Sequence, residues 1–179
     1  MSQAVMYCRA MLDVRPEAPA DFADVRQVHQ RAFAPSHVEA DLVDALRASG
    51  VHVPELCLVA LRGGAVVGHI AFSRARLDSG HPVLALAPMG VLPEHQRQGV
   101  GSALVSEGLR RAAETDFPLV LVLGHPAYYP RFGFEPADAL GVGAPFAVPA
   151  EAWMMRRLPA YRRDARGTVV YPEAFAGLT

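Results

Sequence analysis

The stretch Val91-Leu92-Pro93-Glu94-His95-Gln96-Arg97-Gln98-Gly99-Val100-Gly101 decides how this chain is read. Before it, Val83 to Val91 has the apolar character of a strand, interrupted late by Pro88 and Gly90. After it, Gly99 to Glu114 places Val100, Ala103, Leu104 and Leu109 at helical spacing. Gly99 and Gly101 remove side chains where the helix begins, so its first backbone N–H groups can face an approaching anion, with the helix dipole adding attraction. A pyrophosphate cradle is one reading and an ordinary Gly-containing turn is the other. The stretch lacks the Gly-Lys-Ser/Thr of a nucleoside-triphosphate loop and the Gly-x-Gly-x-x-Gly of a dinucleotide loop.

Downstream, Leu119 to Leu123 is fully apolar, as expected of a strand buried on both faces in parallel pairing. Val83 to Leu123 therefore forms a β-loop-α-β unit. Pro cannot donate to a ladder and Gly weakens a strand, so Pro88 and Gly90 predict a bulge or splay at the end of the first strand. Ala127 to Phe132 is expected to form a helical turn or two. Phe146 to Val148 is expected to pair with Trp153 to Leu158 as a hairpin, and Thr168 to Tyr171 reads as one more strand.

Upstream, Leu12, Val14 and Pro16 read as a short strand, and the first ten residues as a loose arm. Phe22, Val25, Val28 or His29, Ala32 and Phe33 then fall on one helical face, with Asp21 placed to cap and Pro35 to stop the run. Ser36 and Glu39 have capping-box spacing ahead of Val38, Leu42, Ala45 and Leu46, and Gly50 fits the position past that helix's end. Leu56 to Leu61 and Val66 to Phe72 flank Gly63-Gly64 as a hairpin.

The 179 residues predict one domain spanning 1–179, with residues 159–179 as a C-terminal extension. Seventeen Arg, no Lys and 18 carboxylates leave a net charge of -1, which argues against nucleic acid or an anionic membrane as partner. No apolar run reaches the roughly 20 residues that span a bilayer, and the chain start lacks a signal-peptide pattern, so a cytoplasmic location is expected. Cys8 and Cys57 are too few for a disulfide framework, and the seven His have no paired ligand spacing, so no metal is expected.

The Val-Leu-Pro-x-x-x-Gln-x-x-Gly-x-Gly run is similar to the acyl-CoA-binding motif of the GNAT superfamily of N-acetyltransferases. The later Ala127-Tyr128-Tyr129-Pro130-Arg131-Phe132-Gly133-Phe134 resembles that superfamily's Tyr-x-x-x-Gly-Phe segment. The order of elements is also similar, so the likeness covers roughly Met11 to Leu158. Val67-Gly68-His69-Ile70 and Leu123 to Tyr129 look like a bacterial subgroup of predicted acetyltransferases with poorly defined substrates.

The resemblance implies an α/β fold of the acyl-CoA N-acyltransferase type, with a mixed, mostly antiparallel sheet splayed between its fourth and fifth strands. It implies acetyl-CoA as cosubstrate, its pyrophosphate on the amides of Arg97, Gln98, Gly99, Val100, Gly101 and Ser102, next to Gln96. Met89, Gly90 and Val91 would offer backbone groups to the pantetheine arm, and an N–H near Met89 or Val91 would polarise the thioester carbonyl. Tyr129 matches the leaving-group acid, with Tyr128 a lesser candidate. An alkyl thiol has a pKa of about 8.5, so the acid is expected to help without being indispensable.

The general base is less determined: His125 is the leading candidate, and His95, Glu94, His69 and His37 are alternatives. Phe33 and His37 would border the side where the amine acceptor enters. Arg156, Arg157, Arg162, Arg163 and Arg166 read as a solvated edge, or else as a surface for an acidic partner or the ADP end of a second ligand, and Trp153, Met154 and Met155 as core or dimer contact, which keeps a homodimer open. The expected activity is acetyl transfer to a primary amine by direct attack in a ternary complex. A non-catalytic acyl-CoA sensor would keep the Gly loop and dispense with proton-transfer groups. A nucleotide-binding protein would lack its Lys and Mg ligands here.

Overall fold

The central strands alternate in a way that demands cover on both faces. Leu58 and Ala60, Ile70 and Phe72, and Leu84 and Leu86 point to one side, while Val59, Ala71 and Ala85 point to the other. Successive side chains of a strand leave opposite faces, so helices must seal both. In the computed structural model, which describes residues 11–178, they do.

Strand β1 (Leu12–Pro16) is followed by helices α1 (Phe22–Ala32) and α2 (Val38–Ala48), then strands β2 (Leu58–Arg62), β3 (Ala65–Leu77) and β4 (Pro82–Val91). Helix α3 (Val100–Ala112) and strand β5 (Leu119–Leu123) complete the β-loop-α-β unit. Two short strands, β6 (Glu135–Pro136) and β7 (Val142–Gly143), precede β8 (Trp153–Arg157) and β9 (Gly167–Val170), and a 3-10 turn spans Glu173–Leu178. The main sheet runs β1-β2-β3-β4-β5-β8-β6, with β9 joining β3 to β7. The pairs are antiparallel except β4 with β5 and the short β7 with β9. Among the described residues no helix is long and apolar enough to cross a membrane.

Helix α3 lays Val100, Leu104, Val105 and Leu109 on one face of the sheet. Helix α1 brings Val25 and Val28, and α2 brings Leu42 and Leu46, to the opposite face. The hairpin between β2 and β3 turns through Gly63 at φ 60° and Gly64 at φ 84°, the left-handed pair of a type I′ turn.

Several local expectations need correction. Asp21 stands at the start of α1 but does not cap it: its carboxylate accepts from the Ala18 N–H at 2.8 Å and pairs with Arg15 at 2.7 Å. Ser36 lies one residue before the helix boundary at His37, bonding the Val38 N–H and the Glu39 carboxylate instead of a capping-box amide. Phe146 to Val148 forms no strand. Trp153–Arg157 pairs with β5 and β6, because a Trp-Met-Met run buried on both faces belongs inside the sheet rather than in a terminal hairpin. The arginines after it make local bonds: Arg156 to the Phe132 carbonyl, Arg157 to Glu135 at 2.6 Å, and Arg162 to Asp164 at 3.3 Å. The loose arm expected over residues 1–10 lies outside the described residues, as does Cys8.

Gly108 of α3 shows how closely helix and sheet meet. A Cβ there would sit 2.6 Å from Cε2 of the fully buried Phe72. Gly to Ala in a helix interior ordinarily gains about 1 kcal/mol, whereas overpacking a core costs about 1–3 kcal/mol. Phe72 is fully buried within the core cluster, so Gly108→Ala should destabilise by about 1 kcal/mol and lower the urea midpoint. A raised midpoint would show that the interface is looser than described.

Candidate active site

The β4–β5 pair stops early. Only Leu84↔Val120 and Ala85↔Leu121 are in register, although β4 runs on to Val91 and β5 to Leu123. The cause is visible on the other edge of β4. Ile70 faces Met89 and Phe72 faces Leu86, so Ala71 opposes both Ala87 and Pro88, a bulge of one extra residue. β4 turns there and parts from β5, which leaves a wedge where sequence reasoning placed it.

At the far end of β4 the chain enters α3 through two left-handed residues, Arg97 at φ 57° and Gly99 at φ 86°. The non-Gly residue in that conformation carries a strain of about 1–2 kcal/mol, and such strain concentrates at functional sites. Gly99 provides no capping side chain, so the N–H groups of Val100, Gly101 and Ser102 have no intrahelical partner and point out of the helix start. The loop is braced. Gln96 Nε2 donates to the Val91 carbonyl at 3.0 Å, Gln98 Nε2 to the Glu94 carbonyl at 2.8 Å, and Arg62 to Gln98 Oε1 at 2.6 Å. Gln96 thus acts as a staple. Glu94 is engaged by Arg31 at 3.0 Å, and His95 lies 3.3 Å from Arg62.

The wedge opens into a cavity of about 1140 Å³. Leu86 to Met89 of β4 and Val122 to His125 at the end of β5 form its opposing walls, with Tyr129 on the β5 side. Phe33 lies on the helical side together with Glu39 and Leu42 of α2, and the tail contributes Tyr171, Pro172, Glu173 and Phe175. The tail lines the cavity without closing it, since Leu123 and Phe146 on its wall stay 47% and 39% exposed.

The structure therefore gathers Met89, Tyr129, His125 and Phe33 around one space. His37, at the start of α2, is exposed and is not part of that wall. The Tyr129 ring is pressed against Gly124, where a Cβ would come within 2.2 Å, so this position must be Gly for the ring to sit there. Burial pushes the Tyr129 hydroxyl well above its usual pKa, so it holds its proton at neutral pH. Tyr128 turns the other way, its hydroxyl close to Gly101 in the first turn of α3, with Arg131 stacked 4.0 Å over its ring. Cys57 is buried, and desolvation raises its thiol to about 12, which leaves it inert as a nucleophile.

Sequence reasoning underrated two histidines. His29 of α1 and His69 of β3 are fully buried, with His29 Nε2 2.8 Å from His69 Nδ1. His69 Nε2 lies 3.1 Å from Glu17 Oε2, and Arg47 engages the same carboxylate. Glu17 is ionised, because its bonds to His69 and Arg47 outweigh the cost of its burial and bring it down to about 2. The protons are assigned from this anchor. The Glu17 carboxylate 3.1 Å away favours the His69 proton on Nε2, although the pair is off hydrogen-bond geometry, and leaves Nδ1 to accept from His29 Nε2–H, so His29 Nδ1 carries a lone pair. Among the described residues that atom has no partner, and it faces Gly90, where a Cβ would lie 2.9 Å away. Desolvation pushes both imidazoles below their usual pKa. The signal was present in the sequence, as a His on the apolar face of a helix and another inside a doubly buried strand.

Comparison with known proteins gives a consistent set of relatives. The model of the acetyltransferase (GNAT) family matches residues 22–134. The uncharacterized N-acetyltransferase YjhQ of Escherichia coli K12 is 43% identical over 157 residues, covering 84% of this chain and 86% of the relative. Among solved structures, the GNAT family N-acetyltransferase YhbS of Escherichia coli in complex with CoA superposes with TM-score 0.84 and 33% identity, covering 94% of this chain and 92% of that one. A GNAT family acetyltransferase from Brucella melitensis in complex with acetyl-CoA gives TM-score 0.77 and 32% identity, covering 93% and 99%.

The buried relay fixes the sign of an acid response. His29 and His69 are neutral in the folded protein, while the unfolded chain takes up protons at these residues as pH falls below about 6.5. Glu17 adds a second window, as the unfolded chain protonates it below about 4.5 and the folded protein only near 2. In both windows the unfolded state binds more protons, so stability declines as pH falls. Urea midpoints should drop between pH 7.5 and 5.5, and the drop should shrink in His29→Gln. A wild-type midpoint that is flat or rising over that interval would contradict the assignment of two neutral imidazoles.

Proposed function

Since the chain belongs to the GNAT acetyltransferase family, we propose that it transfers an acetyl group from acetyl-CoA to a primary amine by direct attack within a ternary complex. One observation carries this reading: the wedge between β4 and β5 opens into a cavity that holds both Tyr129 and His125. The two relatives solved with CoA and acetyl-CoA support acyl-CoA as the donor.

In this reading acetyl-CoA supplies the activated acyl group, and the chain supplies position and proton traffic. The amides of Arg97 to Ser102 hold the pyrophosphate at the start of α3. The free edge of β4 over Met89, Gly90 and Val91 offers backbone groups to the pantetheine amides, which satisfies polar groups that the divergence from β5 leaves unpaired. A backbone N–H at Met89 or Val91 stabilises the oxyanion formed when the amine nitrogen adds to the thioester carbonyl. His125 removes the proton that the substrate ammonium must lose. Tyr129 gives its proton to the departing thiolate as the C–S bond breaks, which its retained proton at neutral pH permits. With Cys57 buried and protonated, no acyl-enzyme step is invoked. A sensor reading predicts CoA binding with no amine-dependent thiol release, and an assay of that release separates the two.

Two substitutions test the parts. Gly99 and Gly64 both sit at left-handed φ, 86° and 84°, with open space around them. Gly99→Val and Gly64→Val should each cost about 1–2 kcal/mol in stability, but only Gly99→Val should weaken CoA binding, by at least about tenfold. Equal CoA affinity in the two variants would remove the pyrophosphate from this loop. Tyr129→Phe should lower kcat by about tenfold at nearly unchanged acetyl-CoA affinity, and Tyr128→Phe should matter less. Unchanged turnover in Tyr129→Phe would leave that residue a packing role only.

A further inference from the structure

The cavity wall has a chemical bias sharper than its shape. The chain carries 17 Arg and no Lys, yet among the described residues no Arg contributes to the wall. The charged groups there are Glu39, Asp78 and Glu173. Asp78 is occupied by the Thr168 N–H at 3.0 Å, but Glu39 accepts only from Ser36 Oγ, and among the described residues no cation pairs with Glu39 or Glu173. Most other carboxylates of the helical face, including Glu17, Asp41 and Asp44, are paired with arginine. An ammonium entering this space finds carboxylates that no described cation neutralises, Glu39 being offset only by the start of α2 and Ser36, whereas a carboxylate or phosphate would be desolvated with no described Arg to meet it.

The rest of the wall is apolar. Phe33, Phe146, Tyr171 and Phe175 lie on the helix-and-tail side, the rings of Phe146 and Tyr171 nearly parallel at 6.4 Å and those of Tyr171 and Phe175 4.6 Å apart. Phe146 and Leu123 are two of the few large hydrophobic side chains left open to solvent among the described residues, and both face this cavity. At about 1140 Å³ the space exceeds what a pantetheine arm fills and leaves room for a bulky body.

We infer that the acceptor is a small amphipathic primary amine with an aromatic or branched apolar body and no anionic group, the body resting on Phe146 and Tyr171 and the ammonium drawn by Glu39. This rests on the proposed acetyl transfer for its biochemical meaning, but the binding preference can be measured without turnover. Three matched probes suffice. 2-Phenylethylamine has the ammonium and the ring, phenylalanine adds a carboxylate to the same frame, and putrescine keeps the amine without the ring.

Calorimetry on the CoA-loaded protein, alongside thiol release from acetyl-CoA, should rank 2-phenylethylamine at least about 30-fold above each of the others in affinity and in kcat/KM. Phe146→Ala, a change at a solvent-open side chain, should weaken 2-phenylethylamine about tenfold and leave putrescine unaltered. Glu39→Gln should weaken both amines. Phenylalanine or putrescine binding as well as 2-phenylethylamine, or none of the three binding, would overturn the inference. Turnover without the ranking would overturn it while leaving acetyl transfer standing; the ranking in binding without thiol release would uphold it and overturn the transfer reading.

Discussion

The site depends on one mismatch of strands: β4 hydrogen-bonds to β5 at two positions and then leaves it. The bulge at Ala87–Pro88 is what turns β4 away, because two residues there must face Ala71 alone on β3. A sheet that stayed paired to its ends would bury these backbone groups against each other and offer nothing to a ligand. Splayed, the sheet exposes an edge between two well-covered faces, so one wall of the wedge is a strand held in the sheet, while the segment after β5 and the tail supply the others. The start of α3 lies at the end of the diverging strand, and Tyr129 and His125 lie just beyond the end of its neighbour.

A strand that gives up half its partners needs other support, and the helical face provides it. His29 of α1 fits against the bare Gly90, hydrogen-bonds His69 on β3, and through it reaches Glu17 and Arg47. That line ties α1, β3, the segment after β1 and α2 into one buried polar network. Its energetic sense is that of any such network: fully connected it specifies a single arrangement, and a missing partner leaves a costly orphan. The His29 nitrogen at Gly90, without a partner among the described residues, is the point where the network meets the strand that forms the wedge.

Much of this was legible in the sequence because local chemistry dictates it. Pro88 and Gly90 predicted the splay from donor loss and backbone freedom, and Gly99 and Gly101 marked the place where the chain turns into α3. Tyr129, His125, Met89 and Phe33 were named as site residues, and the structure brings them to one cavity. What was not legible depends on distant pairings. Trp153–Arg157 was recognisable as a strand, but its partner β5 lies some 30 residues away and the nearer Phe146 to Val148 looked more suitable. Strands of two residues, such as β6 and β7, leave no period to detect. His29 was one apolar-face residue among several until β3 placed His69 against it, and the contribution of the tail to the cavity wall follows from β9 joining β3.

The claim on which the rest hangs is that the free edge of β4 receives the pantetheine arm of acetyl-CoA. Amide hydrogen exchange followed residue by residue, with and without saturating acetyl-CoA, addresses it directly. The account predicts new protection within Met89 to Val91 together with Val100 to Ser102, while Leu84 and Ala85, already paired to β5, stay unchanged. Protection confined to the start of α3, with Met89 to Val91 exchanging as before, would contradict it.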